Sequence, residues 1–374
     1  MQYCRVCILP DSRPNLVLNN KGICNACESS STKRSIDWIQ RENQFLTLVS
    51  SIKRLQRDWD CIIPVSGGKD STWQVVKALE YGLKPLCLTW KTPVRTSLGR
   101  KNLQNLIDLG VDHFDISINP EIEKIFSVKT LEKMGSPAIP MHMALFSLPI
   151  KFAYKFEIPL ILWGENSAVE YGDGGDSSTT GSTLTTKWFK KFGVTNGTKY
   201  LDWVDEDLSE RSLELYGAPC PELIEKKNIR SIFLGHYFKW SPKIAYETAK
   251  KFGFQSLDSK PITGIYKFAD VDDAFIISIH HWIKWFKFGF TRSWDNLSLE
   301  IRSGNISRQE AILQLSTMGI EEPKDHVIQF CEWANISVDR FNSIMEKFRN
   351  TKIWHHQDGK WLIPDFLIRS WRWK

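Results

Sequence analysis

The most constraining feature of this sequence is a short glycine loop between an apolar segment and a helical pattern. Residues 61–65 (CIIPV) form a short, continuous apolar run, which is typical of a buried parallel strand. The loop at 66–71 (SGGKDS) follows directly, and residues 72–81 show a helical pattern that ends at Gly82. A strand, a glycine turn and a helix in this order predict an anion site at the carboxyl end of the strand.

The alternation of strand and helix extends along the first two thirds of the chain. Further strands are expected at residues 85–89, 113–118, 159–163 and 231–234, and helices at 36–57 and 101–109. This alternation predicts an α/β fold with a parallel, doubly wound sheet covered on both faces. Beyond about residue 237 the pattern is helical to the end. We therefore expect a cysteine-bearing head at 1–32, a sheet domain at 33–240, and a helical, Trp-rich substrate or partner domain at 241–374.

The side chains of the loop suit a bound polyphosphate. Gly67 and Gly68 let the backbone turn tightly and approach a phosphate group, and the following helix directs partial positive charge at it. Lys69 adds a full charge, and the two serines of the loop offer hydroxyl donors. Asp70 is placed either to cap the helix or to bind the Mg²⁺ that accompanies ATP. An ordinary Gly-Gly turn with a helix N-cap is the competing interpretation.

The S-G-G-x-D-S form resembles the phosphate loop of the ATP-pyrophosphatase superfamily, which includes asparagine synthetase, GMP synthetase and tRNA thiolases. The resemblance implies a sheet of the adenine-nucleotide alpha-hydrolase (PP-loop) type, adenylation of a substrate oxygen and release of pyrophosphate. It also implies that the second strand ends beside the adenosine. The ATP-binding residues expected on this basis are Ser66, Gly67, Gly68, Lys69, Asp70, Ser71, Thr89, Trp90 and Gly164. A purely apolar core role is the alternative for Trp90.

Residues 163–166 (WGEN) close the fourth strand at the same edge of the predicted sheet. Glu165 and Asn166 are expected to orient the substrate or a metal, and the catalytic residues are expected to be Lys69, Asp70 and Glu165. A plain turn at the strand end is the alternative. The segment at 171–182, rich in Gly, Asp, Ser and Thr, then forms either a mobile surface loop or a lid over the substrate.

Two cysteine pairs near the N-terminus have the spacing of a four-thiolate zinc site. Cys4 and Cys7 are followed, after sixteen residues, by Cys24 and Cys27. A head of about thirty residues buries too little apolar surface to fold alone, so metal binding is expected to supply stability. Since sulfur takes all four positions, we expect structural Zn²⁺ rather than a catalytic metal. The other four cysteines are scattered and are interpreted as core or incidental thiols.

The head, the loop and the C-terminal tract together resemble the N-acetyl sugar amidotransferases of bacterial surface-glycan biosynthesis (O-antigen and pseudaminic-acid pathways). The segments that carry the resemblance lie at 3–7, 24–27, 65–71, 163–166, 281–290 and 300–304. The resemblance implies a ligase that converts the acetamido group of a sugar or nucleotide sugar to an acetamidino group, in lipopolysaccharide or related glycan biosynthesis. In the reaction that the resemblance implies, ATP would adenylylate the acetamido oxygen, and ammonia would then displace AMP.

A source of ammonia is not evident in the sequence. A glutaminase with an N-terminal nucleophile needs cysteine at position 2, where this chain has Gln2, and no Cys–His glutaminase segment is evident elsewhere. The family resemblance implies a separate glutaminase subunit and an ammonia-channelling subunit, similar to the imidazole-glycerol-phosphate synthase pair.

The tract at 280–302 concentrates cations among aromatic side chains. Four residues are expected to bind a carboxylate or diphosphate of the substrate: His281, Lys284, Arg292 and Arg302. An amphipathic helix with solvated cations is the alternative. Half of the 16 tryptophans lie from Trp282 onward, and they predict either an aromatic core or a stacking wall for a sugar or base.

Composition and charge restrict the class of protein without choosing the ligand. A net charge of +6 suits an anionic ligand but is modest for a tRNA binder. The apolar stretch at 141–163 contains Lys151, Lys155 and Glu157, so we expect buried helix and strand there rather than a membrane span. No secretory signal is evident, so a cytoplasmic location is expected, without nucleic-acid partners. The competing interpretations are a tRNA-thiolating enzyme and a non-catalytic nucleotide-binding assembly subunit.

Overall fold

A five-stranded parallel sheet lies at the centre of the computed structural model, which describes residues 1–373 except the side chain of Arg34. Its strands are β1 (Cys61–Pro64), β2 (Pro85–Trp90), β3 (Asp112–Ile116), β4 (Leu160–Trp163) and β5 (Arg230–Phe233). Their order across the sheet is β3-β2-β1-β4-β5, and every neighbouring pair is parallel. The predicted parallel α/β sheet is confirmed.

Helices surround the sheet and form most of the C-terminal third. Those before β5 are α1 (Asn25–Thr32), α2 (Trp38–Lys53), α3 (Lys69–Glu80), α4 (Ser97–Ile107), α5 (Pro120–Met134), α6 (Ile139–Phe156), α7 (Ser167–Tyr171), α8 (Thr186–Phe192), α9 (Glu210–Leu213) and α10 (Pro221–Lys226). Those after it are α11 (Leu234–Tyr237), α12 (Pro242–Lys251), α13 (Ile276–Phe288), α14 (Arg292–Arg302), α15 (Arg308–Met318), α16 (Lys324–Ala334) and α17 (Val338–Lys347). As predicted, buried helix and strand occupy the apolar stretch before residue 164. None of the helices within residues 1–373 is long and apolar enough to cross a membrane.

The strands are buried because helices cover both faces of the sheet. In β1, Cys61 and Ile63 belong to an apolar cluster on one face, whereas Ile62 belongs to a cluster on the other. Successive side chains of a strand point to opposite faces, so a continuous apolar run supplies both cores at once. All three side chains are fully buried.

The strand order creates a crevice at the carboxyl end of β1. From β1 the chain passes to β2 and β3 on one side, and it then returns to β4 and β5 on the other. β1 and β4 are neighbours, with Ile62 opposite Ile161. Ligands of open parallel sheets bind where the direction of strand addition reverses in this way. The segments at 66–71 and 164–166 leave their strands at this point.

The cysteine head packs into the helical C-terminal region. One apolar cluster contains the four cysteines of the head together with Trp282, Trp285, Trp294 and Trp354. These four indoles are buried, and the other tryptophans after residue 282 pack against the same cluster. The interpretation of the late tryptophans as an aromatic core is therefore confirmed. The domain boundaries expected near residues 32 and 240 stay predictions.

The expectation of an all-helical C-terminal region is wrong, because a β-hairpin follows α17. β6 (His355–Gln357) and β7 (Lys360–Leu362) pair in antiparallel register. Asp358 and Gly359 connect them with φ of 50° and 75°, the left-handed conformations of a two-residue hairpin turn. An Asp-Gly pair is the sequence signal for such a turn, and the helical prediction overlooked it.

Candidate functional site

The glycine loop after β1 has one position that requires glycine. Gly67 has a φ of +83°, and a Cβ added there would lie 2.5 Å from the backbone nitrogen of Leu103 on α4. No side chain fits a backbone that approaches a neighbouring helix so closely. Ser71 shapes the same turn, because its Oγ donates to the Gly68 carbonyl at 3.0 Å and accepts from the Ser66 amide at 3.4 Å.

The N-terminus of α3 opens towards the crevice. Gly68 is the N-cap, and no described side chain caps the helix. Of the two roles expected for Asp70, helix capping is therefore not observed. Uncapped N–H groups at a helix start, together with the helix dipole, form a site for an anion such as phosphate.

Lys69 and Asp70 form an ion pair at this helix start. The buried Lys69 ammonium group contacts the Asp70 carboxylate and lies 5.4 Å from the centre of the Phe268 ring. The other carboxylate oxygen of Asp70, Oδ1, is buried and has no hydrogen-bond partner in the described part of the chain. A buried oxygen of this kind is unfavourable unless a ligand or water supplies its partner. An unpartnered carboxylate oxygen beside a phosphate site fits Mg²⁺ bound with ATP.

Glu165 follows β4 and lies next to this ion pair. Burial, and then the charge of Asp70, raise the pKa of the Glu165 carboxyl to about 7, while Lys69 opposes the rise. The backbone approaches closely here, since a Cβ at Gly164 would lie 2.8 Å from the side-chain nitrogen of Gln74. The three predicted catalytic residues are thus brought together where β1 and β4 end. A carboxyl group that titrates near neutral pH can exchange a proton with a substrate.

Thr89 and Trp90 end β2 with their side chains engaged inside the protein. The Thr89 hydroxyl donates to the Val65 carbonyl at 2.8 Å and lies 2.8 Å from His113 Nε2. The indole of Trp90 is partly buried and packs against two apolar clusters. Contacts of these two residues with adenine stay a prediction.

Asn166 has its side-chain hydrogen bonds inside the protein. Its amide nitrogen donates to the carbonyls of Thr179 at 2.9 Å and Gly181 at 3.1 Å. Its side-chain oxygen accepts from the Ala168 amide at 2.9 Å and from Trp188 Nε1 at 2.8 Å. Asn166 therefore anchors the glycine-rich segment to the start of α7. Its contact with substrate stays a prediction, as does the role of the segment as a lid.

A cavity of about 610 Å³ adjoins α7 and has a cationic wall. It lies between the cysteine head, α7, the chain around α8, and α13, and its cations are Arg13, Lys190, Lys191, Lys284 and Lys287. None of its lining residues in the described chain is an aspartate or glutamate. We call it the cationic cavity. A concave surface with one sign of charge favours a ligand of the opposite sign, here an anion.

A buried carboxylate, Asp295 on α14, pairs with two of these cations. It accepts from Arg13 Nε at 2.8 Å and from Lys284 Nζ at 3.0 Å. Burial alone would raise the pKa of Asp295, but the charges of Lys284 and Arg13 outweigh it and hold the pKa well below its usual range. Burial also lowers the pKa of Lys287 to about 8. The ammonium group of Lys287 donates to the Met134 carbonyl, with no carboxylate partner among the described residues.

Of the four residues predicted to bind substrate, the structure brings Lys284 alone to the lining of the cationic cavity. His281 lies on α13 with its ring 5.4 Å from that of His280, and it is not among the lining residues. Arg292 pairs with Asp270 instead. Their contacts with substrate stay predictions.

Three cations of the cavity are not among the residues predicted from the sequence: Arg13, Lys190 and Lys191. They come from the cysteine head and from the chain around α8, so no spacing in the sequence relates them to α13. The adjacent lysines at 190–191 are the one local charge signal that could have marked this wall.

The four cysteines of the head have the geometry of a tetrahedral metal site. Their ligand atoms all lie within 4.8 Å of one another, and all four residues are buried. The Sγ atoms of Cys4 and Cys27 are 3.9 Å apart, and those of Cys7 and Cys24 are 3.7 Å apart. A tetrahedron with Zn–S bonds of about 2.3 Å has edges of about 3.8 Å, whereas a disulfide bond is about 2.05 Å. The thiols are free and spaced for Zn²⁺.

Arg302 lies beside this thiol cluster rather than in the cationic cavity. Burial lowers the pKa of its guanidinium, but the charges of Cys7, Cys27 and Cys24 outweigh burial and raise it. Its Nη2 donates to the Glu170 carbonyl at 3.0 Å. The predicted contact of Arg302 with substrate therefore has no support from its position.

Comparison with known proteins identifies the region that supplies Lys284 and Asp295. Residues 246–366 match the family model described as "LPS biosynthesis protein WbpG-like, C-terminal domain". These residues are therefore similar to the C-terminal domain of that family, and we call them the WbpG-like domain. The WbpG-like domain includes α13 and α14, and it therefore builds one wall of the cationic cavity and contains Arg302. The predicted family relation is confirmed for this part of the chain.

Among curated proteins, no sequence matches the chain. Three solved structures are similar in part. A predicted subunit of tRNA methyltransferase from Methanocaldococcus jannaschii is 17% identical over 51% of this chain and 75% of its own, with a TM-score of 0.29. NMN synthetase from Francisella tularensis is 12% identical over 80% and 94%, with a TM-score of 0.35. NAD⁺ synthetase from Burkholderia pseudomallei is 12% identical over 61% and 91%, with a TM-score of 0.27. Likenesses at this level carry no weight for the reaction, which depends on the site itself.

Proposed function

We propose that this protein is an ATP-dependent amidotransferase that converts the acetamido group of a sugar to an acetamidino group in lipopolysaccharide O-antigen or related glycan biosynthesis. The observation that carries the proposal is the junction of two sites. Glu165 lies next to Lys69 and Asp70 of the phosphate loop, and two residues later the chain enters α7, which lines the cationic cavity. The WbpG-like domain, whose family description names lipopolysaccharide biosynthesis, builds part of that cavity.

The proposed reaction has two steps, and the acetamido nitrogen keeps its proton through both, so the imidate intermediate is protonated and the product is an amidinium. The acetamido oxygen attacks the α-phosphorus of ATP, the bond to the bridging oxygen breaks, and pyrophosphate leaves. Ammonia then attacks the imidate carbon and loses a proton, and AMP leaves with the former acetamido oxygen. The sugar gains nitrogen in place of oxygen, and the products are the acetamidino sugar, AMP and pyrophosphate.

The residues of the loop are suited to the first step. Backbone N–H groups at the start of α3 and the Lys69 ammonium group would stabilise the departing pyrophosphate, on which negative charge builds up. Asp70 Oδ1 would hold Mg²⁺, which supplies further neutralisation of phosphate charge when bound. Lys69 would exchange its contact with Asp70 for the phosphates as ATP binds. Positioned charges of this kind lower the barrier without moving during the reaction.

Glu165 is suited to the second step. Ammonia carries a proton that must leave once nitrogen is bound to the imidate carbon. A carboxylate whose pKa is about 7 is ionised to a large extent at neutral pH, yet it is basic enough to accept that proton. The neighbouring Asp70 raises the pKa of Glu165 and Lys69 lowers it. Binding of ATP and Mg²⁺ at those two residues would therefore change the pKa of Glu165.

The cationic cavity is proposed as the site for the anionic part of the sugar substrate. Five cationic side chains line its wall: Arg13, Lys190, Lys191, Lys284 and Lys287. The carboxylate of Asp295 pairs with two of them and leaves a net positive charge. A carboxylate or the diphosphate of a nucleotide sugar would neutralise part of this charge. The sugar ring would then lie near Tyr171 and Ser167 on α7, close to Glu165 in the chain.

A separate glutaminase subunit and an ammonia-channelling subunit, resembling the imidazole-glycerol-phosphate synthase pair, are proposed as partners. A glutaminase uses an accessible thiol with an adjacent base. Of the eight cysteines, Cys220 is exposed and the others are buried, four of them in the thiol cluster. These positions give no support to a glutaminase site in residues 1–373.

The test is an incubation of the purified chain with MgATP, ammonium chloride and a panel of acetamido sugars and nucleotide sugars. We expect AMP to form in proportion to a sugar product whose mass corresponds to replacement of O by NH. The matched control is Lys69→Met, which removes the charge of the loop and should abolish both products. AMP formation that requires tRNA and a sulfur donor, with no change in any sugar, would instead support a thiolase.

A further inference from the structure

Arg302 contacts both the thiol cluster of the head and the end of α7, and the proposed reaction gives it no role. It is the last residue of α14, in the WbpG-like domain, and its side chain lies beside the thiols of Cys7, Cys24 and Cys27. Its Nη2 donates to the Glu170 carbonyl near the end of α7. Its Nη1 is buried and makes no hydrogen bond of standard geometry among the described residues, although the Cys27 side chain lies within reach of the guanidinium. An unpartnered guanidinium N–H beside a thiol cluster needs an acceptor.

The negatively charged sulfur atoms of a four-thiolate zinc site would supply such an acceptor. Zn²⁺ with four thiolates carries a net charge of −2, and these four cysteines are buried. A buried charge is unfavourable unless a neighbouring group of opposite sign compensates it. Arg302 brings a permanent positive charge to this position, and N–H donors to the ligand sulfurs.

A second arginine shows a different contact with the same head. Arg308 Nε donates to the Cys7 carbonyl at 2.9 Å, so it binds the backbone of the head and not its sulfur atoms. The two arginines therefore provide a natural comparison. Both link the WbpG-like domain to the head, but Arg302 lies beside the cysteine side chains, whereas Arg308 contacts a backbone carbonyl.

The contact of Arg302 with α7 extends the influence of the metal towards the cationic cavity. The last carbonyls of α7, those of Glu170 and Tyr171, accept hydrogen bonds from Arg302 at 3.0 Å and from Arg13 at 3.2 Å. Cations at a helix C-terminus are favourable because they oppose its partial negative charge. Arg13 lies in the head, between the two cysteine pairs, and lines the cationic cavity.

We propose that Arg302 is a positioning residue of the metal site, which donates to a ligand sulfur through Nη1 and to Glu170 through Nη2. It thereby compensates the charge of the metal–thiolate group and joins the metal-bound head to α7 and the wall of the cationic cavity. This inference rests on metal binding by the four cysteines and does not depend on the amidotransferase reaction.

The test compares Arg302→Gln and Arg302→Lys with the matched control Arg308→Gln in the full chain. Zinc content is measured by elemental analysis, zinc affinity by competition with a chromogenic chelator, and the ligand field by the sulfur-to-metal absorption of the Co²⁺-loaded protein. We expect Arg302→Gln to bind zinc about 10–100-fold more weakly, as is typical when a partner of a metal ligand is removed. Its Co²⁺ spectrum should shift, Arg302→Lys should retain part of the affinity, and Arg308→Gln should resemble the unmodified chain.

The link to α7 has its own measurement. With zinc at saturating concentration, Arg302→Gln should be cleaved faster by trypsin at Lys190 or Lys191 than Arg308→Gln, because α7 and its neighbours are less firmly held. The inference is overturned if Arg302→Gln and Arg308→Gln have equal zinc affinity and the same Co²⁺ spectrum. It is also overturned if the unmodified chain binds no zinc, in which case the metal site itself is wrong. Neither result bears on AMP formation, which tests the proposed reaction separately.

Discussion

Replacement of Asp295 by asparagine tests whether the cationic cavity depends on its buried carboxylate. Asp295 is 5% exposed and accepts from Arg13 and Lys284, so the change leaves two cations without their shared counter-charge. Removal of one member of a buried ion pair typically destabilises a protein by about 3–5 kcal/mol, because an uncompensated charge stays behind. We expect a loss of that size in the free energy of unfolding at pH 7.

The stability that Asp295 contributes depends on pH in a direction that follows from its lowered pKa. The pKa of Asp295 is depressed in the folded chain, so its contribution to stability is fully present above the unfolded value of about 3.9. That contribution is lost as the pH falls through the lower, folded pKa. The difference between Asp295→Asn and the unmodified chain should therefore be constant from pH 5 to pH 7, and should decrease only in more acidic solution.

The assay is urea denaturation followed by tryptophan fluorescence, with Glu80→Gln as the matched control. Glu80 pairs with Lys77 at 2.6 Å, but 48% of its side chain is exposed. Exposed pairs contribute roughly 0–1 kcal/mol, so the control should change little. If the two variants lose equal stability at pH 7, burial does not control the strength of the Asp295 pairs and the electrostatic reasoning is refuted.

Three further predictions concern the loop, the base and the metal. Gly67→Ala should lower kcat/KM for ATP by roughly 100-fold, because a displacement of a catalytic loop by about 1 Å has an effect of that size. The control is Gly181→Ala, which should leave kcat/KM unchanged, because a Cβ at Gly181 meets no atom within 4 Å. Release of pyrophosphate measures the activity of both variants. Glu165→Gln should abolish the rise of kcat/KM through about pH 7, evaluated at constant free ammonia, and an unchanged profile would exclude Glu165 as the base. Removal of zinc by a chelator should lower the thermal unfolding temperature, because the four cysteines belong to the aromatic core. An unchanged unfolding temperature in a chain shown to have lost its metal would contradict this prediction.

The sheet and the phosphate loop could be predicted because their signals are local. A continuous apolar run such as residues 61–65 can only be buried on both faces, and the glycines after it mark the turn into α3. The metal site could also be predicted, because the two cysteines of each pair are close in the sequence and each pair forms one compact unit of the head. In these cases neighbouring residues in the sequence are neighbours in space.

The cationic cavity could not be predicted because its wall is assembled from distant segments. Arg13, Lys190 and Lys284 are far apart in the sequence and meet through packing of the head against α13 and α8. The cations of 280–302 were grouped as one set, yet the helical periodicity and the turn at Gly289 direct Lys284 to the cavity and Arg302 to the thiols. Charge composition alone does not distinguish a ligand site from an internal ion pair. The Asp358–Gly359 turn, by contrast, was readable in the sequence and was overlooked.

In the proposed reaction, the acetamido oxygen of the sugar is transferred to AMP. The most direct measurement uses an acetamido sugar labelled with ¹⁸O in its carbonyl group, incubated with the chain, MgATP and ammonia, followed by mass spectrometry of the AMP. We expect one ¹⁸O atom in each AMP and none in pyrophosphate. Unlabelled AMP formed along with an acetamidino product would contradict it, because the oxygen would then leave by a route other than attack on the α-phosphorus.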